Sequence, residues 1–400
     1  MHDEQGEYIM DKVSVVVIGL GNMGTAHATC IAKGDIQGME LVAVCDRNSK
    51  KTAPFAEKYP NVKIYTDYKV LLKEEKVDAV IIAVPHPLHS EMAIYALEQG
   101  VHVLLEKPAD VSVSKVKEMN AVAEKSNKVF SIMFNQRTNQ LFARAREIVR
   151  SGQLGQLKRT VWIVTNWYRT QCYYKSGDWR ATWKGEGGGV LLNQAPHNLD
   201  LWQWICGMPE SVIGYCDIAK YHEIEVEDDA TILTRYKNGA TGTFITSTGE
   251  FPGTNRLEIS GDLGKLVLEA GVLKWWKLKE SERTVCANSE KGCAKIDYEY
   301  SEYTQEKKEG AHKAIIQNFT NAILYGEELL APGTDGIYEL TLSNAAYLSN
   351  WLGHKEVQLP FDTEEFDRLL EEHAKNSHQV YSEDNNVPSD VYKDRWQVNW

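Results

Sequence analysis

Apolar positions come in blocks along the first third of the chain. Val13 and the run Val15-Val16-Val17-Ile18 make the pattern of a strand buried on both faces. Residues 25–33 are helix-compatible, and 41–45 form a second apolar strand. Further strands are predicted over 78–84, 101–105 and 128–134, with helices over 88–99, stopped by Gly100, and over 112–126. In the latter helix Val116, Met119 and Val122 point inward and Lys115, Lys117 and Glu118 outward. This alternation of strand and helix predicts a parallel sheet with right-handed crossovers. From about residue 157 the grammar changes. A long strand over 157–168 and a helix over 190–206, closed by Gly207, lead into strands over 211–219, 229–237, 240–248, 256–260, 265–268 and 272–278. Asn238-Gly239 marks a hairpin turn within this series. Helices return over 312–325 and 338–352. The second region thus reads as an α+β domain on a large, mostly antiparallel sheet. Helices cover one face, and a second subunit is the simplest cover for the other, so a homo-oligomer is expected.

The expected division is residues 1–136, 137–377 and an acidic tail, 378–400, that carries Tyr381, Tyr392, Trp396 and Trp400. At 400 residues, two domains are expected. A hydrophobic share of 43% and a charged share of 25% fit a soluble globular protein. No run of about eighteen apolar residues suggests a membrane span, and the polar, acidic start does not resemble a secretory signal. The net charge of −12 argues against a nucleic-acid partner. Seven cysteines, none paired as C-x-x-C, read as reduced thiols of a cytoplasmic protein, with no metal site expected.

Gly19, Gly21 and Gly24, with Asn22 and Met23 between them, have G-x-G-x-x-G spacing directly after the first strand. Such a loop turns tightly, lets backbone N–H groups approach a pyrophosphate, and packs the next helix close to the strand. The helix N-terminus adds partial positive charge. Asp46 ends the second strand about twenty residues on, where a dinucleotide-binding unit places its ribose acceptor. The reading is therefore a doubly wound Rossmann domain that binds NAD. A 2′-phosphate would face the Asp46 carboxylate, although Arg47 beside it keeps NADP open. Ligands of such sheets lie beyond the carboxyl ends of the strands. That draws in Pro85, His86 and His89, then Glu106-Lys107-Pro108, then Asn135 and Arg137. Lys107 is placed to hydrogen-bond a substrate hydroxyl, unless the stretch is only a surface turn.

In the second region three glycines, 187–189, open the helix of Asn193, His197 and Asp200. Their i, i+4, i+7 spacing puts them on one face of an otherwise apolar helix, as in a pocket wall. His197 could take a proton from a hydroxyl while hydride leaves its carbon. The alternative is a structural polar network, and for Asp200 that alternative is preferred.

G-L-G-N-M-G, C-D, A-V-P-H-P-L-H, E-K-P, F-N-Q-R and G-G-G-V-L-L-N-Q-A-P-H-N-L-D, in this order, resemble the glucose–fructose oxidoreductase / inositol dehydrogenase / rhizopine-catabolism (Gfo/Idh/MocA) family over about residues 12–375. The resemblance implies hydride transfer between NAD(P) and a secondary alcohol of a sugar or cyclitol. By position, Lys107 and His197 match the family's lysine and catalytic histidine, Pro85 and His89 its nicotinamide-ribose loop, and Asn135 and Arg137 its interdomain hinge. The family commonly has Asp where this chain has Asn193; an amide cannot hold a proton, so acid–base work would fall to His197 and Lys107, with Asn193 positioning a hydroxyl. The stretch from Trp167 through Tyr173, Trp179, Arg180 and Trp183 is dense in rings and guanidinium groups, which suit sugar faces and hydroxyls, though a loop can also pack its own aromatics. Similar W-R…G-E-G-G-G stretches occur in relatives that oxidise the C3 hydroxyl of a glucoside. Two other readings share these motifs: a glycosidase or lyase that oxidises C3 transiently, eliminates the aglycone and recycles its cofactor, and a non-catalytic NAD-binding module.

Overall fold

The computed structural model describes residues 12–177, 179–305 and 310–377; the expected tail, 378–400, lies outside them. Two compact units emerge, one from 12–138 with 310–337, the other from 139–305 with 338–377. Residues 310–337 therefore belong with the first unit, where a single break near residue 136 would have put them in the second.

The first unit is built on six parallel strands, β1 (Val13–Ile18), β2 (Met39–Cys45), β3 (Lys63–Tyr65), β4 (Ala79–Ile82), β5 (His102–Leu105) and β6 (Phe130–Ile132), in the order β3-β2-β1-β4-β5-β6. Every residue of β4, and all but Ser14 of β1, is buried, as unbroken apolar runs require when helices cover both faces. The order reverses between β1 and β4, which places the crevice of a doubly wound sheet at the glycine loop after β1. Side chains of Asn48, Asp67 and Ser112 cap the next helices by accepting backbone N–H bonds. The helix after β1 spans Asn22–Ala32, three residues earlier than its apolar pattern indicated, so Gly24 lies in its first turn. The helix Ala311–Tyr325 buries Ile315, Ile316 and Phe319 in this unit. Beyond it, Ala331 O accepts from Ile132 N at 3.0 Å and Ser131 Oγ at 2.8 Å, which covers the β6 edge.

The second unit carries nine strands: β7 (Leu157–Val164), β8 (Ser211–Ile218), β9 (Glu227–Arg235), β10 (Thr241–Ser247), β11 (Asn255–Gly261), β12 (Gly264–Glu269), β13 (Val272–Leu278), β14 (Tyr298–Thr304) and β15 (Val357–Gln358). Their order is β14-β13-β12-β11-β7-β10-β9-β8-β15, and only β7 and β10 pair in parallel. Period-two alternation separates the faces. Trp162 and Phe244 point to the covered side, where Trp202 of the helix Pro196–Cys206 stacks on Phe244 at 5.5 Å. Ile213, Leu233, Ile163 and Ile245 lie on the other side and stay partly exposed. At the β9–β10 hairpin Gly239 alone takes a left-handed φ (+84°) and donates to Tyr236 O. This is a three-residue loop with glycine last rather than a two-residue Asn-Gly turn.

One sequence expectation fails here. The single helix over 190–206 is two pieces, Val190–Asn193 and Pro196–Cys206. Pro196 has no N–H for a continuing ladder, so it starts a new helix instead. Asn193 and His197 thus sit on either side of a break, and the i, i+4, i+7 face does not exist as one surface. Asp200 is buried and accepts from Gln203 Nε2 at 3.0 Å, in line with the structural role preferred for it.

Candidate active site

In the first unit the glycine loop has little room for side chains where it packs and ample room where a ligand would sit. Gly19 has φ +93°, and a Cβ there would lie 2.3 Å from Ala83 O. A Cβ on Gly24 would lie 1.7 Å from Gly19 O, so helix and loop can approach only without one. Beside Gly21 nothing lies within 4 Å. At the end of β2, Asp46 Oδ2 accepts from Leu20 N at 2.8 Å and Oδ1 from Asn48 N at 2.9 Å. Each oxygen keeps a lone pair, so Asp46 ties the glycine loop to β2 and can still accept from a ribose hydroxyl. Arg47 next to it is exposed. These groups fit a dinucleotide with a free 2′-hydroxyl. Asn22 and Met23, in the first turn, remain partly or fully exposed.

The ends of β4 and β5 are tied together behind this loop. His89 has no exposed surface; its ring spans Pro108 O (Nδ1, 2.7 Å) and Val84 O (Nε2, 2.8 Å). It therefore holds the loop of Pro85 and His86 against the cis Lys107–Pro108 peptide rather than offering a ligand contact. Glu106 is also buried and accepts from His27 Nε2 at 2.7 Å. Burial alone would push its carboxyl up, but the His27 hydrogen bond and charge, with His312 and Lys107 nearby, hold it down at about 2. Lys107 itself is half-buried, and its backbone N–H donates to Glu106 Oε2 at 3.1 Å. The Asn135 amide meets the His312 ring at 3.3 Å. Arg137, expected to touch substrate, is instead buried, donates to Asp335 Oδ2 at 2.7 Å and lies over the Phe134 ring.

In the second unit the glycine stretch is pinned by a residue the sequence did not reveal. Glu227, fully buried on β9, accepts from Gly189 N (2.9 Å), Leu191 N (2.9 Å) and Tyr347 Oη (2.7 Å). Burial pushes its carboxyl up to about 7, against the pull of these three donors. A Cβ on Gly189 would lie 1.9 Å from Glu227 O, so this contact needs glycine. The helix turn that presents Asn193 is thus anchored from below. His197, one residue into the next helix, is half-buried.

The aromatic stretch divides in two. Tyr173 is flanked by the guanidinium groups of Arg169 at 5.1 Å and Arg180 at 4.7 Å, and its hydroxyl accepts from Arg180 Nη1 (2.9 Å) and Gln194 Nε2 (3.1 Å). Trp179 lies under Arg180 at 4.6 Å and, like Tyr173, is half-exposed. Trp183 does not join this wall. It is buried against Tyr347, Trp351 and His373, so it packs core. Another residue missed by the sequence, Glu186, is buried and accepts the Asn193 amide.

Comparison with known proteins decides the family. A model of the oxidoreductase family with an NAD-binding Rossmann fold matches residues 13–134, and the model of the GFO/IDH/MocA C-terminal domain matches residues 142–267, together well over half of the chain. The chain belongs to the Gfo/Idh/MocA oxidoreductase family. Among Gfo/Idh/MocA relatives, the myo-inositol 2-dehydrogenase of Thermotoga maritima is 27% identical over 338 residues, 82% of this chain and 94% of that protein. The D-glucoside 3-dehydrogenase of Escherichia coli is 31% identical over 196 residues, 49% of this chain and 54% of that one. The WlbA dehydrogenase of Bordetella pertussis, solved with NADH and UDP-GlcNAcA, superposes with a TM-score of 0.72 at 25% identity, over 88% of this chain and all of that one. The first unit is the family's NAD-binding domain and the protein is an oxidoreductase. Among the described residues no cluster of His, Cys, Asp or Glu could hold a metal, and no helix is long and apolar enough to cross a membrane.

Proposed function

We propose that the protein oxidises a secondary hydroxyl of a sugar, glycoside or cyclitol with NAD, and that the C3 hydroxyl of a glucoside is the substrate class it suits best. The observation that carries this reading is the wall of Tyr173, Trp179 and Arg180 beside Asn193, in which the half-exposed Trp179 ring can stack on a sugar face and the Tyr173 hydroxyl and Arg180 guanidinium can meet its hydroxyls. The relatives named for inositol and glucoside dehydrogenation support the same class. Gly19, Gly21, Asn22, Met23 and Gly24 would hold the pyrophosphate and Asp46 the adenosine ribose, with Pro85 and His86 toward the nicotinamide end. NAD, when bound, supplies the hydride acceptor. His197 takes the hydroxyl proton, Lys107 donates to the oxygen and steadies the charge that develops there, and Asn193 orients a neighbouring hydroxyl.

The free thiols of Cys172, Cys286 and Cys293 are exposed, which supports a reducing, cytoplasmic setting. The partly exposed apolar face of the nine-stranded sheet supports a homo-oligomer. The test is NADH formation with a panel of inositols, hexoses and glycosides, followed by identification of the oxidised carbon. A 3-keto glycoside is expected. Release of aglycone with only catalytic NAD would replace this reading by oxidation-assisted elimination, and no turnover across the panel would overturn both.

A further inference from the structure

The buried carboxylate of Glu186 is not used by the chemistry above, yet it touches the site. Its Oε2 accepts from Ala181 N at 2.5 Å, and Ala181 holds a left-handed φ of +53°, unusual for a residue with a Cβ. Its Oε1 accepts from Asn193 Nδ2 and lies 3.9 Å from Arg180 Nη1. A carboxylate only accepts, so the Asn193 amide must present its nitrogen to Glu186. Its oxygen is thereby turned the other way, where the Tyr173 hydroxyl donates to it at 3.4 Å. The Tyr173 oxygen in turn accepts from Arg180 and Gln194. One buried carboxylate thus sets donor and acceptor directions across Asn193, Tyr173, Arg180 and Gln194.

We propose that Glu186 is a positioning and specificity-determining residue, which fixes Asn193 as a hydrogen-bond acceptor toward the substrate so that the site selects a ligand hydroxyl as donor at that point. The proposal rests on the sugar-oxidation reading for its substrate half, but the pairing itself does not. It also accounts for Asn at position 193. A carboxylate there would face Glu186 directly, and two carboxylates in contact cannot both stay ionised. In the structure the Asn193 amide meets a single carboxyl group, that of Glu186.

The experiment compares wild type with Glu186→Gln, Asn193→Asp and the exchanged double variant, by thermal melts at about pH 6 and about pH 8 and by steady-state kinetics, with NAD affinity as a control. Each single variant should melt lower than wild type, and the double variant, which restores one carboxylate facing one amide, should recover most of the loss. The Asn193→Asp deficit should shrink at the lower pH, where one carboxylate takes a proton, and the Glu186→Gln deficit should not. With the best sugar from the panel, the single variants should raise KM about tenfold or more with kcat changed less than about threefold, and the double variant should bring KM back, at unchanged NAD affinity. Additive melting losses overturn the pairing. Melts that couple while KM stays at the wild-type value overturn the substrate role and leave Glu186 a structural residue. Failure of wild type to oxidise any sugar overturns the functional reading and the substrate role together, while the melts still report on the pair.

Discussion

Glu227→Gln removes the anchor beneath the glycine stretch while keeping its shape. Oε1 accepts two bonds, from Leu191 N and Tyr347 Oη, and Oε2 accepts one, from Gly189 N. The best orientation of a glutamine keeps the first two and sets its NH2 against Gly189 N. One buried backbone N–H and the new amide hydrogens then lack acceptors, at about 1–3 kcal/mol for each unsatisfied group, so a loss of roughly 2–4 kcal/mol is expected. The pH sign follows from the carboxyl's being raised to about 7 by burial. A raised acid binds its proton more tightly in the folded state, so its contribution is complete below the unfolded value near 4.5 and is lost as pH rises through about 7, with a ceiling of about 3 kcal/mol. Wild type therefore gives up this contribution between about pH 5 and about pH 8, and the variant, with no carboxyl to titrate, does not. By differential scanning calorimetry the melting transition of the second unit should fall roughly 5–10 °C at about pH 5 and distinctly less at about pH 8. A variant that melts with wild type at the lower pH, or a deficit that grows with pH, would show that the Glu227 carboxyl is not the anchor.

Other outcomes follow from single contacts. His102 Nδ1 accepts from Val129 N at 2.8 Å, and burial, with Lys128 adding to it, holds this imidazole down at about 4. A depressed histidine contributes stability that is present above its unfolded value near 6.5 and lost as pH falls toward about 4; because the ring is partly exposed, roughly 1–2 kcal/mol is expected, and pH-dependent melts of His102→Asn should lack that slope. Gly24→Ala drives a Cβ to 1.7 Å from Gly19 O and should abolish NAD binding, read by quenching of tryptophan fluorescence. His197→Ala should bind NAD like wild type yet lose about 10²–10⁴-fold in kcat. Leu233→Asp, on the open sheet face between Ile213 and Thr243, should reduce the particle mass measured by light scattering.

The parallel sheet was legible because each of its main strands is an apolar run ended by a turn, and because Gly19 and Gly24 sit where only glycine fits while Gly21 leaves open space beside the loop. Long alternating strands such as β9 and β13 were equally plain. The breaks were not. The helix pattern ran unbroken through Gln194 and Ala195, and Pro196 was the only local sign that it stops. β14 (Tyr298–Thr304) escaped because charged residues interrupt its period, whereas the helix Gln140–Arg150 keeps a regular buried stripe of Leu141, Phe142, Ala145 and Ile148 and was there to be read. In the site, residue types announced Lys107, Asn193 and His197. Glu186 and Glu227 did not stand out, since an acidic residue in a loop or at a strand start reads as solvated until its buried partners, brought from distant positions such as Tyr347, are known. The same blindness made Trp183 look like sugar-binding surface, although its neighbours Trp351 and His373 come from much later in the chain.

The proposed function rests on hydride passing from a secondary carbon of a sugar to NAD on this protein. The direct measurement is mass analysis of the reduced cofactor formed from a methyl glucoside deuterated at C3. One deuterium is expected in the dihydronicotinamide ring with that substrate and none when the label sits at C2 or C4. NADH formed without label from the C3-deuterated sugar would contradict C3 as the donor carbon, and label found at none of the sugar's carbons would contradict the reaction itself.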